Sequence, residues 1–198
     1  ILDANPNLGW RDVQEILAIT ARQVGSTTGT PTAYEKYTGS FNGADNWNGG
    51  GMHFSNDYGF GLVDALAAVR LAESWTTQGT SANEVQTSVT ATIGTAIPDL
   101  GSVSRVFTIP TDIRIDHVEL TVDITHPNRG DLEIRLTSPD GTVSILLDNP
   151  LNGTDTTDNL VFRLGSNAFW GEGSAGNWTV TITDTKTGNV GIVNSLTI

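Results

Sequence analysis

The chain has no cysteine among its 198 residues. That absence removes disulfide staples, thiolate metal sites and a cysteine nucleophile together. Basic residues are scarce, 10 Lys and Arg against 22 Asp and Glu, for a formal net charge of -12. Without a cationic face a chain cannot displace counterions from phosphates, which excludes most nucleic-acid binders. The same charge disfavours anionic membrane surfaces. No apolar run reaches the roughly 18 residues that suggest a membrane span. The start, Ile1-Leu2-Asp3, has neither Met nor a basic leader region, and reads as a cut point. What is present is a hydrophobic fraction of 37% with 5 Trp, enough for a real core in one large domain or two small ones. Abundant Thr, Asn, Asp and Gly beside few Lys fit a bacterial extracellular protein.

The pattern changes character near residue 76. Val13, Ile16, Leu17, Ala21 and Val24 recur at three- and four-residue steps, which predicts one helix within 5–24, with Pro6 and Asn7 suited to its start. Leu62, Ala65, Leu66, Val69 and Ala72 predict a second helix within 62–75. The Gly- and Asn-rich stretch between them, 25–61, is too long for a simple connector. Residues 77–86 are small and polar, a linker by composition. The expected organisation is therefore a helical segment over 1–76, a linker over 77–86 and a second domain over 87–198.

That second domain alternates with period two. Val118, Leu120, Val122 and Ile124 are one such set; Leu132, Ile134 and Leu136 are another. Val143, Ile145 and Leu147 follow an Asp140-Gly141 turn, then come Leu160, Phe162 and Leu164, and finally Trp178, Val180 and Ile182. Pro110, Pro127, Pro139 and Pro150 fall between these runs, where a ladder tolerates them. Short strands with one apolar face predict an antiparallel β-sandwich.

HPNRGDLEIRLTSPDGTVSILL (126–147), FWGEGSAGNWTVTITD (169–184) and NSLTI (194–198) resemble the P domain of the kexin-like, proprotein convertase-type subtilases. The matching positions are His126, Arg129 to Leu132, Ser138 to Thr142, Trp170 to Glu172, Gly176 and Trp178. ANPNLGWRDVQEIL (4–17) and YGFGLVDALAAV (58–69) resemble the last helices of a subtilase catalytic domain. The resemblance implies a mainly β, jelly-roll-like P domain preceded by the helical end of an α/β catalytic domain. It also implies a secreted serine endopeptidase. The triad serine of that family sits in a Gly-Thr-Ser-x-Ala segment opening a buried helix. Gly79-Thr80-Ser81 is followed by Ala82-Asn83 in a linker context instead, so this stretch is expected to be inactive alone.

Acidic loops are the best site candidates. Asp148, Asp155 and Asp158, with Asn152 and Asn159, offer the hard oxygens that calcium requires in sets of six to eight. Asp123, Asp131 and Asp184 form a second candidate calcium set where strand ends meet. Asp45, Asn46 and Asn48 form a smaller one. His126 lacks a second His nearby and is expected to bond to its own turn. His53, Ser55 and Asp57 mimic a triad, but a triad converges from different elements. Arg129-Gly130-Asp131 spells an adhesion tripeptide, which recognition would need at an exposed tip. The resemblance instead places Asp131 in a turn that holds the sheet. Trp178 is in phase with the core, and Trp170 is open as a sugar-stacking face.

The leading expectation is a P domain that supports the missing N-terminal catalytic portion of a calcium-dependent protease, which meets protein substrates through that portion. The alternative is a stand-alone β-sandwich binding peptide, glycan or cell surface. It requires an exposed apolar or aromatic patch.

Overall fold

The computed structural model describes residues 1–27, 31–45 and 50–198. Its chain falls into two compact units, Ile1–Gln86 and Thr87–Ile198.

In the first unit, helix α1 spans Trp10–Thr20 and α2 spans Ala65–Glu73. Two short strands, β1 (Ser40–Phe41) and β2 (His53–Phe54), pair antiparallel. Helix α1 starts three residues beyond Asn7, because the Asp12 carboxylate folds back onto the Gly9 amide at 2.8 Å and caps the helix there. Val24 lies past its end. Leu8, Ile16, Ala68 and Ala72 form the small core. The expected apolar face of α2 is corrected. Ala68 and Ala72 are the buried pair, whereas Leu62 and Leu66 remain 55% and 62% exposed. Small alanines allow close helix approach, so the packed stripe is the one with the shortest side chains.

The compositional linker is also largely absorbed into this unit. Asp12 is buried and accepts from Gly79 N (2.7 Å), Thr77 Oγ1 (3.0 Å) and Trp75 Nε1 (3.0 Å). Burial raises the pKa of this carboxyl, but the bonds from Trp75, Gly79, Gly9 and Thr77 outweigh it and hold the pKa below the ordinary value. Trp10 Nε1 and the Arg11 guanidinium reach Ser81, Thr80 and Asn83.

The second unit has eight strands: β3 (Thr90–Ile97), β4 (Ser102–Ile109), β5 (Val118–Thr125), β6 (Leu132–Thr137), β7 (Val143–Asp148), β8 (Leu160–Ser166), β9 (Gly176–Asp184) and β10 (Gly191–Thr197). They form two four-stranded sheets, ordered β3-β10-β5-β8 and β4-β9-β6-β7, with every paired register antiparallel. Leu120, Val122 and Ile124 face Leu132, Ile134, Leu136, Trp178, Val180 and Ile182 in one buried core. Phe169 packs edge-on against Trp178, ring centroids 5.0 Å apart. Val89 and Ile198 exchange two backbone hydrogen bonds, so the two ends of the unit lie side by side.

Two strands depart from the expected burial. Ser144 rather than Val143 points inward, its hydroxyl 2.7 Å from that of Ser166. A bulge restores Leu147 to the core opposite Ile134. Phe162 keeps its inward phase opposite Val122 but is 59% exposed, because β8 is an edge strand.

Candidate metal centre

The period-two phase of β5 carries past Ile124 to His126, and that of β9 carries past Ile182 to Asp184. Both side chains are therefore delivered to the inside at one end of the sandwich, and both are fully buried. Between β5 and β6 the chain makes a short 3-10 turn, Arg129–Asp131, which buries Asp131 beside them. A donor atom from each of His126, Asp131 and Asp184 lies within 4.8 Å of the others. His126 Nε2 is 3.3 Å from Asp184 Oδ2.

Neighbouring groups fix this cluster in place. His126 Nδ1 lies 2.8 Å from the Asn128 carbonyl oxygen. Asn159 N donates to His126 O at 2.8 Å, and His126 N to Asn159 Oδ1 at 3.2 Å. Asp184 Oδ1 accepts from Lys186 N at 3.0 Å; Asp131 Oδ2 is 3.3 Å from Asn189 Nδ2. Thr185 N and Oγ1 both donate to Asp131 O, at 2.9 and 2.8 Å. Gly191 supplies the space for the imidazole, since a Cβ there would lie 2.6 Å from His126 Cδ2.

The other expected donors are not gathered. Asp123 is out of phase with the core and accepts from Asn194 Nδ2 at 2.9 Å. Asp155 is committed to its own loop, accepting from Thr157 N (3.0 Å) and from Arg129 Nε (2.6 Å). Hydrogen bonds from the Thr157 side chain, Arg129 and the Thr157 backbone hold its carboxyl pKa at about 2. Asp158 is exposed, Asp148 half-buried, and among the described residues Asp148, Asp155 and Asp158 form no common cluster. Asn159 is spent on His126, while Asn152 sits exposed in a left-handed turn with Asn149 and Leu151, whose φ angles are 55°, 44° and 55°. Asn46 and Asn48 lie outside the described residues.

Among the described residues, neither set named from the sequence brings all its carboxylates into one cluster. Instead, the sequence reading missed His126 as partner to Asp131 and Asp184. The signal was available in the strand phase that includes His126 and excludes Asp123.

The remaining motifs are structural. Ser55 is buried and its Oγ accepts from Asp57 N, while Asp57 Oδ2 accepts from Lys36 N and Tyr37 N. Burial pushes the pKa of His53 down. The three do not form a relay. Gly130 and Asp131 are buried, so the adhesion tripeptide is not presented. Trp170 and Trp178 are both buried, which removes the aromatic platform for sugars.

The Proprotein convertase P-domain family matches residues 115–198. Proprotein convertase subtilisin/kexin type 5 of Homo sapiens is 35% identical over 192 residues, covering 93% of this chain and 10% of that protein. PC3-like endoprotease variant B of Hydra vulgaris is 34% identical over 194 residues, covering 92% of this chain and 24% of that protein. Among solved structures, the serine protease of Aeromonas sobria superposes with a TM-score of 0.72 at 26% identity, over 99% of this chain and 40% of that one. The chain therefore spans a minor part of the length of these relatives. The two curated relatives are animal proteins and lend no support to the expected bacterial source. Among the described residues no helix is long and apolar enough to cross a membrane. Residues 115–198 are a proprotein convertase P domain, and the chain as a whole is similar to the kexin-like, proprotein convertase-type subtilases.

Proposed function

We propose that this chain is the C-terminal, non-catalytic portion of a secreted subtilisin-like serine endopeptidase, in which the P domain stabilises the catalytic domain. The observation that carries this reading is the Aeromonas sobria protease likeness, which runs through 99% of this chain yet takes up only 40% of that protease. A further stretch of the same polypeptide then bears the triad and meets the protein substrates. The bare side of α2 supports the same reading. Leu66 on the nine-residue helix, and Leu62 and Val63 just before it, are exposed apolar side chains that solvent does not favour. Covering it with the rest of a catalytic domain would gain about 25 cal/mol per Å2 removed from water. Calcium dependence belongs to this reading as a property of the larger protease.

Fluorophosphonate labelling of protein from the natural source, followed by intact mass, tests the reading. Label is expected on a longer polypeptide that contains this sequence, and none on the 198-residue chain. Label on the short chain, or no labelled longer form, would overturn it.

A further inference from the structure

The His126–Asp131–Asp184 cluster joins three buried side chains able to ligate a metal. Two carboxylates are buried together, and the nearby cationic side chains are engaged elsewhere. Arg129 Nε donates to Asp155, and Lys186 Nζ donates to the Gly153 carbonyl. Buried carboxylates are costly to hold without a compensating positive centre. The imidazole is held by backbone on its other side. Nδ1 lies 2.8 Å from Asn128 O and 3.2 Å from Asn128 N. Nε2 faces Asp184 Oδ2 at 3.3 Å, with both side chains fully buried.

A divalent cation can be accommodated among these donor atoms. Tetrahedral zinc with arms of about 2.0 Å has ligand–ligand edges of about 3.3 Å, and the separation found here is 3.3 Å. The outer contacts are also those of a metal-bound imidazole. A ligating His ordinarily donates its second ring N–H to a backbone carbonyl or carboxylate, and ligating carboxylates are themselves hydrogen-bonded. Asn128 O, Lys186 N and Asn189 fill those places. One imidazole nitrogen with carboxylate oxygens suits a borderline cation better than calcium.

We propose that His126 Nε2 and one carboxylate oxygen each of Asp131 and Asp184 bind a structural divalent ion of the zinc class. The ion joins the end of β5, in one sheet, to the start of β6 and the end of β9 in the other. It therefore clamps the two layers where the core stops. This proposal is independent of the protease reading.

The test uses the untagged 198-residue chain, stripped with chelator and melted with zinc, calcium or magnesium added. Zinc at about 100 times its dissociation constant should raise the Tm by about 10 °C, with one equivalent of zinc retained on gel filtration. Cobalt should give the visible absorption of a tetrahedral nitrogen–oxygen site, and Asp184→Asn should lose both effects. Should that variant fail to fold, zinc content and the cobalt spectrum of the wild-type chain decide. A shift with calcium but not zinc overturns the proposal. So does a zinc shift that survives in Asp184→Asn. No shift and no cobalt band would overturn it equally.

Discussion

Gly130 is the middle residue of the buried tripeptide, and replacing it with alanine isolates one physical effect. Its φ is not in the left-handed region, so alanine meets no backbone penalty there. The cost is purely steric. A Cβ would stand 2.7 Å from both Asp155 N and Asp155 O, and 3.2 Å from its carbonyl carbon. Those are backbone atoms that no rotamer change can remove. Relief requires the 155 loop to move, which stretches the 2.9 Å bond from Gly130 N to Asp155 O. Overpacking costs about 1–3 kcal/mol, and a lost backbone hydrogen bond about 1 kcal/mol more. The sum, about 2–4 kcal/mol, corresponds to a fall in Tm of about 8–16 °C for a unit of this size. Thermal melts followed by near-UV circular dichroism, which reports the packed Trp178 and Phe169 rings, measure it directly. A Gly130→Ala chain melting within about 2 °C of wild type would refute the steric account. It would reopen the tripeptide as a residue set kept for some other reason.

Other outcomes follow from the same structure. Trp178→Ala removes a fully buried ring that donates to Ser174 O at 2.9 Å; a loss of about 3–5 kcal/mol is expected by denaturant titration. Asp155, with its pKa lowered to about 2, contributes stability that is complete above the unfolded value of about 4 and is lost as pH falls toward 2. Asp155→Asn should therefore flatten the dependence of the denaturant midpoint between pH 4 and 2, and an unchanged slope would contradict the assignment. Asp12→Ala should expose the Gly9 and Gly79 amides to fast hydrogen exchange, since both donate to its carboxylate; unaltered protection at both would show that the cap is not what holds them.

Most of the sandwich was legible because a half-buried strand writes its burial into every second residue. Leu120 to Ile124, Leu132 to Leu136 and Trp178 to Ile182 all point inward as their phase dictates. Phase failed at β7, where a one-residue bulge is invisible in a hydrophobic pattern and Ser144 takes an inward place beside Ser166. It failed again on α2, which is apolar on more than one side. Periodicity there cannot say that Ala68 and Ala72 pack while Leu62 and Leu66 do not. The absorbed linker was hidden for a different reason. One of its anchors is the Asp12 carboxylate, more than sixty positions away from Trp75, Thr77 and Gly79. At the candidate centre, Asp131 and Asp184 were readable as carboxylates near strand ends. Composition counted Asp123 with them, although alternation faces it the other way, and it passed over His126.

The position of β10 bears on the order in which this unit can be made. It is the last strand in the chain, yet it lies inside its sheet between β3 and β5. During synthesis β5 and β8 can pair as soon as both have emerged, but β3 has no neighbour in that sheet until the final residues follow. The sheet therefore closes only after translation has passed Ile198, and until then β3 and one edge of β5 expose unpaired backbone. A nascent chain stalled short of residue 191 would be missing an interior strand, a state that invites chaperone capture or strand exchange with a second chain.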